Sequence, residues 1–195
     1  MTKEEGSGTD QTSALIEVVT SIHNNYSSYF KVLDHSYYTL DDFRGKIFYG
    51  CRPNWYVNTM TRVENWPDDS SVTNYGVNVG GTCTASVEDA YNTSGDSKKT
   101  VVNNMLNLAS ANTDRSKFHF TYTSVAWKLL GSSISSHANT QNPAAATYIS
   151  GTLTGPAGYV YADYMGSSSY SGSTLLKAVI DQNYKYVFKG RTRVQ

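Results

Sequence analysis

Three times after Ile47 a short β-rich run gives way to a segment whose apolar residues recur at three-to-four spacing. That alternation constrains the fold more than any single motif: it argues for βα units and a parallel sheet rather than a sandwich. Lys46-Ile47-Phe48-Tyr49-Gly50-Cys51, after the turn-like Asp41–Gly45, reads as a buried strand. Thr82–Tyr91 reads as the next strand, and Asp96-Ser97-Lys98-Lys99 then leads into Val101, Val102, Met105, Leu106, Leu108 and Ala109 at helical spacing. Phe118–Thr123 alternates as a strand does, with a helix expected near Pro143–Ser150 behind it. Gly158–Tyr164 is the last strand, and Ser173 caps a helix carrying Leu175, Leu176, Ala178, Val179 and Ile180. Upstream, Ala14 to Ile22 predicts an amphipathic helix over Thr12–Asn24, with Asp10 or Thr12 as its cap. From Pro53 to Gly81 periodicity disappears, which reads as a long loop.

A chain of 195 residues is expected to form a single domain, 1–195. Lys plus Arg and Asp plus Glu both number 16, so no basic field exists to hold nucleic acid and no net charge draws the chain to anionic lipid. Only 16% of residues are charged, while Tyr, Ser, Thr, Asn and Gly abound, a mixture that leans toward a secreted or cell-surface protein. Cys51 and Cys83 allow one disulfide but show no paired zinc-site spacing, and no metal or other cofactor is expected. No stretch approaches the roughly 18 apolar residues of a membrane span. Met1-Thr2-Lys3-Glu4-Glu5 carries no apolar signal region, so the expectation is either a trimmed precursor or a start within a longer chain.

In a parallel sheet the strand C-termini gather binding groups on one side, and Arg52, Asp89, Tyr91 and Asp163 all fall at ends of predicted strands. Each has a plainer reading: Arg52 paired with any surface carboxylate, Asp89 and Tyr91 as same-face structural residues, Asp163 bonded to a backbone N–H.

Several segments, in order, resemble the X domain of bacterial phosphatidylinositol-specific phospholipase C. Asp42-Phe43-Arg44-Gly45-Lys46-Ile47-Phe48 is similar to the family's Arg-Gly-Lys-Ile turn and strand, with Cys51-Arg52 where the family places a strand-end arginine. Trp66-Pro67-Asp68-Asp69 follows, then Val87-Glu88-Asp89-Ala90-Tyr91, which looks like a Val-Gln-Asp-x-Tyr strand. Phe118–Ser124, Asn142-Pro143, Gly158–Tyr164 and Leu175–Tyr184 resemble the strands and helices behind it. The likeness covers Thr39–Phe188 and, weakly, Met1–Glu5. It implies a partial (β/α) barrel of the triosephosphate isomerase type, the later half of a circuit that takes about 250 residues.

What the resemblance implies about function is recognition of phosphatidylinositol or another inositol-containing lipid head group, with transient contact at a membrane surface. Arg52 would hydrogen-bond the inositol ring, Asp89 would accept from its hydroxyls, Tyr91 would stack on its C–H face, and Lys3 would add a hydroxyl contact. Asp163 would orient a catalytic histidine. Cleavage needs a base for the inositol 2-hydroxyl and an acid for the diacylglycerol oxygen, which two histidines supply in the family. None of His23, His35, His119 or His137 stands in a matching context: a helix, a loop, mid-strand and a Ser-rich loop respectively. Trp127-Lys128-Leu129-Leu130 is either a membrane-dipping lip or a short core segment, and Trp55-Tyr56 with Trp66 either a rim or a cover. Two other functions compete: a secreted carbohydrate-binding module, which the strand-helix alternation disfavours, and a metal-using glycerophosphodiester phosphodiesterase barrel. Half a barrel exposes strand edges and an apolar face, so self-association or pairing with an N-terminal half is expected. Light scattering should then report a mass above the 21.5 kDa of one chain; a monodisperse monomer would contradict it.

Overall fold

A computed structural model describes residues 9–33, 40–51, 60–81, 83–114, 116–125 and 133–187. The backbone packs as two compact units, Met1–Trp66 with Val77–Thr84, and Pro67–Gly76 with Ala85–Gln195. In chain order the elements are helix α1 (Thr9–Asn25), strands β1 (Gly50–Cys51), β2 (Thr61–Glu64), β3 (Ser71–Val79) and β4 (Cys83–Glu88), helix α2 (Gly95–Ala111), β5 (Lys117–Tyr122), helix α3 (Ile134–Thr152), β6 (Tyr159–Tyr161) and helix α4 (Gly172–Val187). Among the described residues no helix is long and apolar enough to cross a membrane.

In the first unit only Tyr26 separates the end of α1 from a 3-10 turn, Ser27–Tyr29. His23 lies buried near the end of the helix, stacked on Phe30 at 3.9 Å and edge-on to Tyr49 at 5.3 Å. Beneath it Phe30 bridges Ile47 in parallel, β1 runs parallel to β2 from Gly50 opposite Thr61, and β2 runs antiparallel to the end of β3 from Val63 opposite Val79. Leu33, Met60, Val63, Val77 and Val79 form its buried apolar residues. Thr61, also fully buried, accepts the Leu33 N–H on its Oγ1 at 2.8 Å, so its hydroxyl satisfies a backbone donor that would otherwise be stranded.

In the second unit the start of β3, then β4, β5 and β6 follow one another in the sheet, with β5 parallel to β6 and Phe120 opposite Tyr159. Helices α2, α3 and α4 supply most of the core: Val102 and Leu106 meet Ala145, Ala146 and Ile149, and these meet Leu175 and Ala178. Val160 and Ala162 pack against the same cluster. Alternation along a strand therefore sends Tyr159 and Tyr161 to the opposite face of β6, where they join Phe118, Phe120 and Tyr122 of β5. The five rings stand in a continuous ladder with centroid spacings from 4.7 Å (Tyr122–Tyr161) to 6.3 Å (Phe118–Phe120).

Several expectations are corrected. The sheet is mixed rather than parallel, because β2 and β3 pair antiparallel. Pro53–Gly81 is not one loop: its described part holds β2 and β3. Lys46–Cys51 is not a buried strand; only Gly50 and Cys51 are in strand, Ile47 makes an isolated bridge, and Ile47 is 51% exposed. The helix expected from Pro143 begins at Ile134, where Ser133 caps it by accepting the Ser136 N–H, so Pro143 sits inside the helix and His137 is helical. Cys83 is buried, and the side chain of Cys51 lies outside the described residues, as do Trp55-Tyr56 and the 127–130 lip.

Two glycines around the end of α3 face opposite surroundings. A Cβ on Gly151 would meet nothing within 4 Å, whereas one on Gly155 would lie 1.9 Å from the Ser110 carbonyl oxygen. Gly151→Ala should therefore raise stability by roughly 0.5–1 kcal/mol through reduced chain entropy. Gly155→Ala should lower it by roughly 1–3 kcal/mol or more, since backbone must move. Thermal or urea melts of both variants read the opposite signs directly.

Candidate functional site

The ends of β4, β5 and β6 are tied together by buried side chains. Glu88, the last residue of β4, is fully buried and uses both carboxylate oxygens: Oε1 accepts from the Ala90 N–H at 3.1 Å and from Lys98 Nζ at 2.8 Å, and Oε2 accepts from the Tyr122 N–H at 3.1 Å. β4 and β5 thus finish side by side. Lys98, in the first turn of α2 and equally buried, gives a second hydrogen bond to the Ala90 carbonyl at 3.1 Å. Burial pushes the Glu88 carboxyl above its ordinary value, against the pull of the Lys98 ammonium and of the two N–H donors. On the next strand end, fully buried Asn142 of α3 plays the comparable part. Its Oδ1 accepts from Thr123 Oγ1 at 3.2 Å, while its Nδ2 donates to the carbonyls of Asp163 and Tyr170 at 3.0 and 3.1 Å.

Asp89 and Tyr91 stand on this edge, in the turn after β4. Asp89 is 3% exposed and its N–H donates to the Ser70 carbonyl at 3.0 Å. The Tyr91 N–H donates to the Asp89 carbonyl at 2.9 Å, closing a tight turn that throws the phenol outward to donate to Asp68 Oδ1 at 2.6 Å. The Asp68 hydrogen bond, helped by burial and by the charges of Asp68, Asp69 and Asp89, pushes the phenol up to about 12. Asp69, in the left-handed region at φ 49°, accepts the Asn92 N–H at 2.8 Å and its amide Nδ2 at 2.6 Å. The Asp68-Asp69 pair therefore fixes the orientation of Tyr91 and the turn behind it. Sequence reading quoted this pair only as part of a resembling segment.

Asp163 follows β6 on the same edge, half-buried, with its carboxyl raised above the usual carboxylate range by burial. Arg52 and Lys3 lie outside the described residues; of the five expected site residues, Asp89 and Tyr91 follow β4 and Asp163 follows β6. Lys98 and Glu88 were missed as a site-forming pair; Glu88 was noticed only in its motif, and Lys98 only in a charged run leading to a helix.

Among the histidines, His35 lies outside the described residues. His119 lies in the middle of β5 rather than at its end, buried at 3% exposure. Its Nε2 is 3.3 Å from the Tyr75 hydroxyl, and Lys117 Nζ sits 4.6 Å above the Tyr75 ring. Burial, with the Lys117 charge second, lowers its pKa from 6.5 to about 4. His137 Nε2 and Thr121 Oγ1 are buried without a hydrogen-bond partner. Among the described residues no cluster of three or more His, Cys, Asp or Glu could hold a metal ion.

The His119 environment gives a pH prediction. The unfolded chain binds a proton near 6.5 and the folded chain only near 4, so stability should be full above about pH 6.5 and fall as the pH drops through that window. His119→Gln keeps a hydrogen-bonding group for Tyr75 but removes the titration. The difference in melting temperature between parent and variant should therefore shrink from pH 7 to pH 4.5; a difference independent of pH would contradict the assignment.

No protein-family model matches the chain, and no curated protein matches it in sequence. Solved structures do match. A pentafluoro-phenylalanine variant of Staphylococcus aureus phosphatidylinositol-specific phospholipase C superposes with a TM-score of 0.70 at 22% identity, over 83% of this chain and 57% of that one. Two structures of the same enzyme from work on its membrane binding give 0.71 and 0.69, each at 20% identity, covering 86% and 89% of this chain. They are covered over 58% and 60% of their own length, so the chain spans under two-thirds of these enzymes. The chain is an α/β protein with the fold of that part of a phosphatidylinositol-specific phospholipase C.

Proposed function

We propose that this chain forms the inositol-recognising wall of a phosphatidylinositol-specific phospholipase C-like phosphodiesterase, built from the later strands and helices of a (β/α) barrel. The observation that carries the reading is the turn after β4, where buried Asp89 and a phenol held by Asp68 sit together on the strand-end edge of a phospholipase C fold. A polyol offers hydroxyl donors on its rim and C–H bonds on its faces, so a carboxylate beside an oriented aromatic ring is chemically matched to it. Arg52 and Lys3 complete the proposed wall by resemblance, and the same resemblance gives Asp163 the part of orienting a histidine. The lyase chemistry itself, transient contact with a lipid surface, and action outside the cell or at its surface belong to the same proposal.

The proton shuttle is not expected from this chain's own histidines. His119 is buried beside Tyr75 and kept neutral, which suits a structural role rather than exchange of protons with a substrate.

Titration with myo-inositol up to high millimolar concentration, followed by amide NMR, should shift Asp89 and Tyr91, and Asp89→Asn should weaken that response at least tenfold. In the same preparation, inositol phosphate should leave phosphatidylinositol vesicles no faster than in buffer. Silence at both residues would remove the polyol reading; turnover abolished by His119→Gln or His137→Gln would overturn the absence of a shuttle.

A further inference from the structure

The Asp89–Tyr91 turn is held by groups that never reach its surface. Ala90 is gripped through both peptide units that flank its Cα: its N–H donates to Glu88 Oε1 and its carbonyl accepts from Lys98 Nζ. The second Glu88 oxygen is committed to the Tyr122 N–H at the end of β5, and Lys98 is anchored in the first turn of α2. Three elements therefore converge on one buried ion pair whose side chains are both 0% exposed. Such a pair is a poor source of net stability, because desolvating two charges costs about as much as their attraction returns. What it does supply is direction, since each oxygen and the ammonium have a fixed partner.

We propose that Glu88 and Lys98 are the positioning residues of the polyol site: they set the Asp89–Tyr91 turn against the end of β5 so that carboxylate and phenol are aligned before a ligand arrives. This rests on the inositol reading above for the identity of the ligand, though not for the alignment itself. In this chain a carboxylate at position 88 serves the Ala90 and Tyr122 N–H groups with separate oxygens. A glutamine there would offer one acceptor oxygen in place of two, so either the Ala90 or the Tyr122 N–H would lose its partner. Preorganisation of this kind removes ordering cost from the binding step.

The test is the neutral pair Glu88→Gln with Lys98→Met, which leaves no unpaired buried charge. Amide hydrogen exchange is read at Asp89 and Tyr91, whose N–H groups donate to Ser70 and Asp89 and touch neither altered side chain. The variant should still melt cooperatively but at a lower temperature, since a buried N–H and the Ala90 carbonyl lose their partners; exchange at both amides should quicken at least tenfold more than at Val102 and Leu106 in the helical core, and the myo-inositol concentration needed for a given shift should rise at least tenfold. Unchanged exchange in a folded variant overturns the proposal, whatever happens to binding. Faster exchange with no myo-inositol response in the parent keeps the alignment role and sinks the polyol reading. If the double variant does not fold, the parent decides in low urea: the amides of Asp89, Ala90, Tyr91 and Tyr122 should open as one unit with a common urea dependence. Separate opening of Asp89 and Tyr91 below that of Tyr122 would overturn the proposal.

Discussion

Everything at the strand-end edge of the second unit depends on putting a carboxylate and an ammonium where water cannot reach them. A buried charge without full compensation is among the most damaging features a fold can carry. Here Glu88 receives two N–H donors and an ammonium, and Lys98 returns a hydrogen bond to the same turn. Meeting those demands requires that β4, β5 and α2 arrive in one arrangement, which narrows the ways this part of the chain can close. Asn142 repeats the device one strand over with a neutral amide, joining the end of β5 to the segment after β6. Together the two side chains extend the ties between these strands beyond the end of their backbone pairing.

The elements that could be read from sequence are those whose apolar spacing coincides with their buried face. In α2, Val102, Met105, Leu106 and Ala109 are all buried, so periodicity and packing agree. α4 agrees only in part, since Leu175 and Ala178 are buried while Leu176 and Ile180 are exposed. β3 was not, because its first part carries Ser71, Thr73, Asn74 and a left-handed Tyr75 at φ 59°, and only Val77 and Val79 are buried. A strand with two buried residues at one end has almost no alternation to detect. The start of α3 was hidden differently: its buried positions Ala138, Gln141 and Asn142 are small or polar, chosen for hydrogen bonds rather than for apolar contact.

The site divides along the same line. Asp89 and Tyr91 announce themselves in a motif, whereas Lys98 sits next to Lys99 in a run that looks uniformly solvated. The fold separates them: Lys98 is fully buried on Glu88, while Lys99 reaches an exposed Asp96 at 3.0 Å. The local hint is helix phase, since Lys98 is in step with buried Val102 and Leu106 and Lys99 is turned one position off that face. The role of Asp68 was out of reach, because its partner Tyr91 lies on a different strand end.

The aromatic ladder on β5 and β6 carries one more consequence. β6 is only Tyr159–Tyr161, too short for backbone pairing alone to define its alignment. With rings at positions 159 and 161 and small aliphatic groups at 160 and 162, sliding the strand by a single residue would drive two phenols into the helix layer and strand Val160 among rings. The tyrosines thus act as teeth of a ratchet, locking the strand in one position. Loss of one residue inside Tyr159–Tyr161 would turn that face of the sheet inside out.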